Sequence, residues 1–501
     1  MIPLTIAEVA DIVGGTLHDV PDPHFTITGT VEFDSRKVTS GGLFVALPGA
    51  RVDGHDHAAG AVAAGAAAVL AARPVGVPAI VVDKIAPTGG QVVGALEHDS
   101  DGSGAGVLAA LGKLARASVD RLAAKGLRVV GVTGSSGKTS TKDLLAAVLA
   151  PLAGTAPNAL VAPPGSFNNE LGHPWTALRA DESTKFLVLE LSARGPGHIR
   201  TLAEIAPPRI GVVLNVGTAH LGEFGSREVI AQTKGELVEA LPADGVAVLN
   251  VDDPAVAAMA RRTQARVVFV GQGSKADLRA TDVTLDEQAR ASFRMNGVPV
   301  TLAVHGEHQV GNALSAAAVA IECGATPEQA AHALGAAKAA SARRMDVRTR
   351  ADGVTVINDS YNANPDSMKA GIKALVSMAR AAAQPRRTWA VLGEMGELGA
   401  DSVVEHDAIG RYAVRLDVNR LIAVGSSRPV RALHQGAVME GSWDNESVVV
   451  ADVDAALAIL EAELRPGDLV LVKASQSVGL WVIADRLVSE PAQRDRTGDQ
   501  R

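Results

Sequence analysis

The chain has 501 residues, enough for about three domains of roughly 150 residues each. Its 55 acidic residues against 47 basic ones give a net charge of −8 without any basic block, and aromatics make up only 3%. That composition argues against a charge-driven nucleic-acid surface and against base-stacking platforms, and the single Cys323 excludes an internal disulfide.

The opening stretch, MIPLTIAEVADIVGG, carries Glu8 and Asp11 where a signal peptide would need a basic and then an apolar region. The most apolar run, AAGAVAAGAAAVLAA at 58–72, is too short and too broken by glycine to span a membrane. A soluble, cytoplasmic protein is expected. Residues 1–105 read as a small α/β domain, with strands in FTITGTVEFDS, GGLFVAL, the segment near AAVLAA and PAIVVD. Residues 83–106 read as a long loop or domain junction, and 106–125 as an amphipathic helix closed by Gly126.

A central domain is expected over 106–340. The short apolar runs LRVVGVT, FLVLELS, RIGVVLNVG, VAVLNVDD and RVVFVG alternate with helices, the pattern of a mostly parallel sheet covered on both faces. DLRATDVTL and SFRMNGVPVTLAVHG alternate instead, and Asn296-Gly297 predicts an antiparallel hairpin turn. Helices follow near 309–323 and 327–339. A third, Rossmann-like domain, 341–501, has strands in VTVIND, RTWAVLGEM, RLIAVGS, SVVVAD and DLVLVKAS, then a polar tail. No fixed-period repeat is present.

The chemistry starts at VVGVTGSSGKTSTKDL, residues 129–144. A Gly-rich turn between strand and helix leaves backbone N–H groups aimed at one point, where the helix dipole adds positive potential, so an anion binds there. Gly134, Ser135, Ser136, Gly137, Lys138, Thr139 and Ser140 form this compact G-x-x-G-K-T cradle, with Val132 where the longer signature has glycine. Lys138 would reach terminal phosphates and the Thr139 hydroxyl would sit on Mg²⁺. Glu190 ends the strand FLVLE at the edge where parallel sheets bind ligands, and His220 follows another strand. Lys234, on a helix capped by Ser226, shares the apolar stripe of Ile230, Leu237 and Val238. It is either a lysine snorkelling from the stripe's edge or a buried amine held neutral, able to capture CO₂ as a carbamate and so to ligate Mg²⁺.

GVTGSSGKTS, SFNNELGHP, LVLELSARGPGHIR, NVGTAHLGEFGS, AQTKGEL, GEHQVGNALSAAA and NDSYNANPDSM occur in the order found in the Mur ligase family, which the chain resembles from FDSRKV to LVKASQS. The resemblance implies one domain for a UDP-sugar peptide, one for ATP and one for an incoming amine. It implies an ATP-driven ligation through an acyl phosphate, by a monomer. SFNNELGHP and DSYNANP most resemble the family member that joins D-alanyl-D-alanine to UDP-N-acetylmuramoyl-tripeptide. A sister ligase adding a diamino acid, or a non-catalytic nucleotide switch, are the alternatives.

By resemblance, Thr139 and Glu190 hold one Mg²⁺, and His220 with a carbamylated Lys234 a second. Asn168 and Asn169 would orient the substrate and phosphoryl group, and Asn312 would contact adenine. Arg343 and Asp359 would reach ATP from the third domain. Ser192 and Arg200 would contact the muramoyl peptide; Ser35 and Arg36, with Gly54 and His55, the uridine nucleotide; and Asn362, Asn364, Lys473 and Ser475 the dipeptide. The family's Lys-Gly-Ser-Arg run is here broken by Ala474 and Gln476, which removes a carboxylate-pairing arginine.

Overall fold

The computed structural model describes residues 1–86, 96–217, 221–442 and 446–489. Among them lie three α/β sheets in chain order, besides a two-stranded ribbon of Leu4–Thr5 with Thr26–Ile27.

The first sheet runs Thr16–His18, Ala79–Val81, Ala68–Ala71, Leu43–Val45, Val31–Glu32, antiparallel at the first pair and parallel after it. The single strand expected in FTITGTVEFDS is two, Thr26–Ile27 and Val31–Glu32. Gly29 lies between them, pressed on the 40–42 backbone so closely that a Cβ would stand 2.5 Å from the Gly42 nitrogen. The chain therefore leaves the ribbon and enters the larger sheet at that residue.

Helix Ser103–Ala123 starts where Asp99 accepts the Gly104 and Ala105 amides, at 2.9 and 2.8 Å. The expected junction loop is thus closed at its far end by a helix cap, while residues 87–95 lie outside the described residues.

The central sheet has the order Val298–His305, Arg290–Met295, Leu278–Leu285, Arg266–Gly271, Val246–Asn250, Ile210–Val213, Arg128–Thr133, Phe186–Glu190, Leu160–Val161. It is parallel from Leu160–Val161 through Leu278–Leu285, and its last two pairings are antiparallel. Asn296 and Gly297 both take positive φ, 46° and 91°, as the hairpin turn requires. The strand Phe186–Glu190 shows why these runs are continuously apolar. Leu187 and Leu189 pack beneath helices Ser103–Ala123 and Arg227–Glu239, while Val188 faces the side of helices Lys138–Ala153 and Gln309–Glu322. Both faces are dry, and alternation disappears.

The third sheet runs Asp346–Thr349, Thr355–Asn358, Leu469–Lys473, Thr388–Leu392, Arg420–Val424, Ser447–Val450, parallel except for its first pair. Carboxyl ends of strands from the second and third sheets face each other across one cleft.

Candidate active site

The cradle is built as its residues dictate. After Arg128–Thr133 the chain turns through Gly134–Gly137, and helix Lys138–Ala153 begins. Gly137 has φ +82°, and a Cβ there would lie 2.7 Å from Asn312 Oδ1, so glycine is required twice over. Asn215 fixes the turn: Ser135 N donates to its carbonyl at 3.1 Å, and Ser136 N to its Oδ1 at 2.9 Å. Lys138 Nζ folds back onto the Gly134 carbonyl at 2.6 Å. Burial brings its pKa down to about 8, against the pull of Glu190.

Thr139 Oγ1 lies 2.7 Å from Ser166 Oγ and donates to Glu190 Oε2 at 3.3 Å; Asn168 Nδ2 donates to the same oxygen at 3.2 Å. Glu190 is fully buried, and its Oε1 has no hydrogen-bond partner among the described residues. Burial pushes its pKa up, while Lys138, Arg344 and Lys142 pull it down. An orphaned buried carboxylate oxygen beside a threonine hydroxyl suits a hard cation. Among the described residues no three His, Cys, Asp or Glu side chains converge.

Lys138, Thr139, Ser166 and Asn168 border a cavity of ≈380 Å³ between the second and third sheets. Ser135, Ser136, Gly137, Lys138, Thr139, Ser140, Asn168, Ser192, Asn312, Asp359, Asn362, Asn364 and Lys473 all line it. Ser192 donates both N–H and Oγ–H to the Asn168 carbonyl, at 3.1 and 2.9 Å, and so sets the amide over Glu190. Lys234 is 4% exposed, not snorkelling. Burial, with the charge of Lys138 added, pulls its pKa well down, which favours the neutral amine that carbamate formation needs. His220 lies outside the described residues.

Other candidates stand elsewhere or have local partners. Arg343 takes a left-handed φ of 61° and stacks on Trp481 at 4.4 Å, off the cavity. The next residue, Arg344, faces inward, donating to Ser166 Oγ at 3.0 Å and lying 4.4 Å over the Tyr361 ring. Asn169 accepts the Gly172 amide at 2.9 Å at the start of helix Gly172–Ala177 and does not line the cavity. Arg200 is 60% exposed beside Glu239, whereas Arg194 lines the cavity. Lys473 lines the cavity but its ammonium is committed: it meets Asp359 Oδ2 at 2.6 Å and the Asn362 carbonyl at 3.0 Å, pinning that turn. Ser475 accepts the Gly396 amide at 2.7 Å, behind the cavity wall that Gln476 supplies. Ala474 is fully buried, and a Cβ on Gly393 would lie 2.9 Å from its own.

Ser35 and Arg36 lie on the first domain, away from this cavity; Arg36 is 86% exposed and forks onto Asp34. His55 has both ring nitrogens bonded. Its Nδ1 meets Asp53 Oδ1 at 2.7 Å, and its Nε2 accepts the Ala72 amide at 3.0 Å. Gly54 is held by Leu47, whose backbone a Cβ would meet at 2.7 Å. Ser166, Arg194, Asn215 and Arg344 were not singled out by sequence reasoning, although the first three stand inside or beside the quoted motifs SFNN, LSARG and LNVGT.

Comparison with known proteins covers the same ground. Residues 28–116 match the Mur ligase family catalytic domain, 132–320 the Mur ligase middle domain, and 343–476 the Mur ligase glutamate ligase domain. The chain is 62% identical over 508 aligned positions to the UDP-N-acetylmuramoyl-tripeptide–D-alanyl-D-alanine ligase of Mycobacterium tuberculosis, with 98% of each chain covered. Its fold resembles a crystal structure of MurF from Acinetobacter baumannii, with TM-score 0.80, 29% identity and coverage of 97% and 99%. It also resembles MurF ligase from Thermotoga maritima in complex with ADP, with TM-score 0.73, 29% identity and coverage of 92% and 97%. With these matches spanning nearly its whole length, the chain belongs to the Mur ligase family.

Proposed function

We propose that this protein is the ATP-dependent ligase that joins D-alanyl-D-alanine to UDP-N-acetylmuramoyl-tripeptide, the last cytoplasmic step in building the peptidoglycan precursor peptide, and that it acts as a monomer. Among the described residues no helix is long and apolar enough to cross a membrane. Residues 1–105 take the uridine nucleotide, 106–340 hold ATP, and 341–501 bring the amine.

The observation that carries this reading is the meeting of the Ser135–Thr139 cradle with Arg344 and Asp359 of the third domain around one cavity. Two anions must approach each other there, a carboxylate and a triphosphate, and Lys138 and Arg344 offset the repulsion. The tripeptide's terminal carboxylate attacks the γ-phosphorus, giving an acyl phosphate and ADP. The dipeptide amine then attacks the acyl carbon and loses a proton. The tetrahedral intermediate expels inorganic phosphate and leaves an amide. Mg²⁺, held through Thr139 and Glu190 with a second ion at His220 and carbamylated Lys234, would neutralise charge on the transferring phosphoryl group. Asn168, positioned by Ser192, orients the reacting carboxylate, and Asn312 packs where the nucleotide base leaves the cradle. Asn362, Asn364 and Gln476 present the dipeptide.

A substrate panel tests it, crossing UDP-muramoyl peptides of different lengths with D-alanyl-D-alanine and single amino acids. Phosphate release should require ATP, the tripeptide and the dipeptide together. Equal release with a diamino acid and the dipeptide precursor would make the protein a sister ligase, and nucleotide binding without any release would make it a switch.

A further inference from the structure

The cradle helix meets two other segments twice, in two stacked layers. In the upper layer Thr139 and Arg344 converge on Ser166 Oγ, at 2.7 and 3.0 Å. In the lower layer Lys142 Nζ donates to Asp143 Oδ1 at 2.5 Å, to the Pro163 carbonyl at 3.0 Å and to Ser341 Oγ at 3.2 Å. Ser341 returns two bonds to Asp143, N to Oδ2 at 3.0 Å and Oγ to Oδ1 at 3.1 Å. Each lower residue stands one helical or loop step from its upper counterpart: Lys142 from Thr139, Pro163 from Ser166, Ser341 from Arg344.

The lower layer is buried, with Asp143 at the edge of a second cavity. The Lys142 and Asp143 side chains are 4% and 8% exposed. All three ammonium protons are used, and the Ser341 hydroxyl gives to the carboxylate while receiving from the lysine. A buried ion pair between neighbours in sequence adds little net stability, because desolvation roughly cancels the attraction. What this pair does is gather two segments distant in sequence, the loop that carries Ser166 and Asn168 and the linker that carries Arg344. Ser341 sits in that linker, between helix Pro327–Ala336 and strand Asp346–Thr349, so it lies where a moving third domain would pivot.

We infer that Lys142, Asp143 and Ser341 form a positioning clamp that fixes the linker so that Arg344 and Ser166 stand over Thr139 for phosphoryl transfer. The clamp touches no substrate; it acts through Arg344. This inference rests on the ligase reading above.

A double-mutant cycle tests it in the full-length protein. Lys142→Met strands a buried carboxylate and is a poor probe, so the cycle uses Ser341→Ala, Ser341→Thr and Arg344→Ala, with phosphate release for kcat and KM and melting temperature as a check of folding. Ser341→Ala should lower kcat about tenfold, the worth of a bond to a buried charge, and change the KM for ATP by less than about threefold. Ser341→Thr, which keeps the hydroxyl, should recover most of the rate. In the Arg344→Ala background Ser341→Ala should cost less than about twofold more, because the two act as a unit. Equal losses in both backgrounds would overturn the clamp, as would a fully active Ser341→Ala, or a Ser341→Thr that melts normally and stays as slow as alanine. An inactive wild type would instead overturn the ligase reading; an active wild type with an additive cycle overturns the clamp alone.

Discussion

Replacing Arg344 or its neighbour Arg343 by alanine separates two side chains that sequence cannot tell apart. Arg344 donates to Ser166 Oγ, lines the cavity opposite Lys138 and Thr139, and lies over Tyr361. Its loss removes a charged donor where charge develops in the transition state, about 3 kcal/mol, or roughly 10² in kcat. Arg343 stacks on Trp481 and reaches no cavity atom. Removing a stacked cation of this kind costs about 0.5–1 kcal/mol, and that cost falls on stability. Steady-state phosphate release at saturating peptide substrates should show Arg344→Ala slowed about a hundredfold and Arg343→Ala within about threefold of wild type. A larger loss at Arg343 than at Arg344 would refute the assignment of the inward arginine and, with it, the reading of the linker.

Three further outcomes follow from the same geometry. Lys234→Ala should nearly abolish ligation, and short carboxylic acids should partly restore it by supplying the lost oxygen ligand; full activity in the variant rejects the carbamate. Glu190→Gln removes a buried carboxylate with one unpartnered oxygen, so the melting temperature of the metal-free protein should hold or rise while activity falls at least about a hundredfold and the Mg²⁺ requirement increases; an unchanged Mg²⁺ titration counts against its role. Lys138, lowered by burial to about 8, binds fewer protons folded than unfolded between pH 8 and the 10.5 of an exposed lysine. Its contribution therefore makes the nucleotide-free protein more stable as pH rises through that window, and Lys138→Met should flatten that slope in urea titrations.

The large features were legible because they rest on local rules. The strand–turn–helix around Lys138 follows from apolar run, glycines and helix formers in sequence, and the hairpin at Asn296-Gly297 from two positive φ angles. Helical spacing alone put Lys234 on an apolar stripe, while its burial emerged only from the packing around it. What sequence could not reveal depends on where backbones cross. Gly29 breaks a strand because the 40–42 turn passes over it, and His55 is consumed by an amide from Ala72, a strand end remote in the chain. Between two adjacent arginines, the backbone decides: Arg343 and Met345, on either side of Arg344, both take left-handed φ, and one guanidinium stands off the cavity while the other lines it. Asn169 and Lys473 carry the right chemistry but spend it on Gly172 and Asp359. In each case the residue type was informative and its partner was not visible.

The central claim is that this cavity phosphorylates a carboxylate before an amine arrives. Tripeptide substrate labelled with heavy oxygen in its terminal carboxylate tests it directly, by mass analysis of the phosphate released during ligation. Transfer of a labelled oxygen from peptide to phosphate is the predicted result. Unlabelled phosphate, released while the amide still forms, would contradict the account.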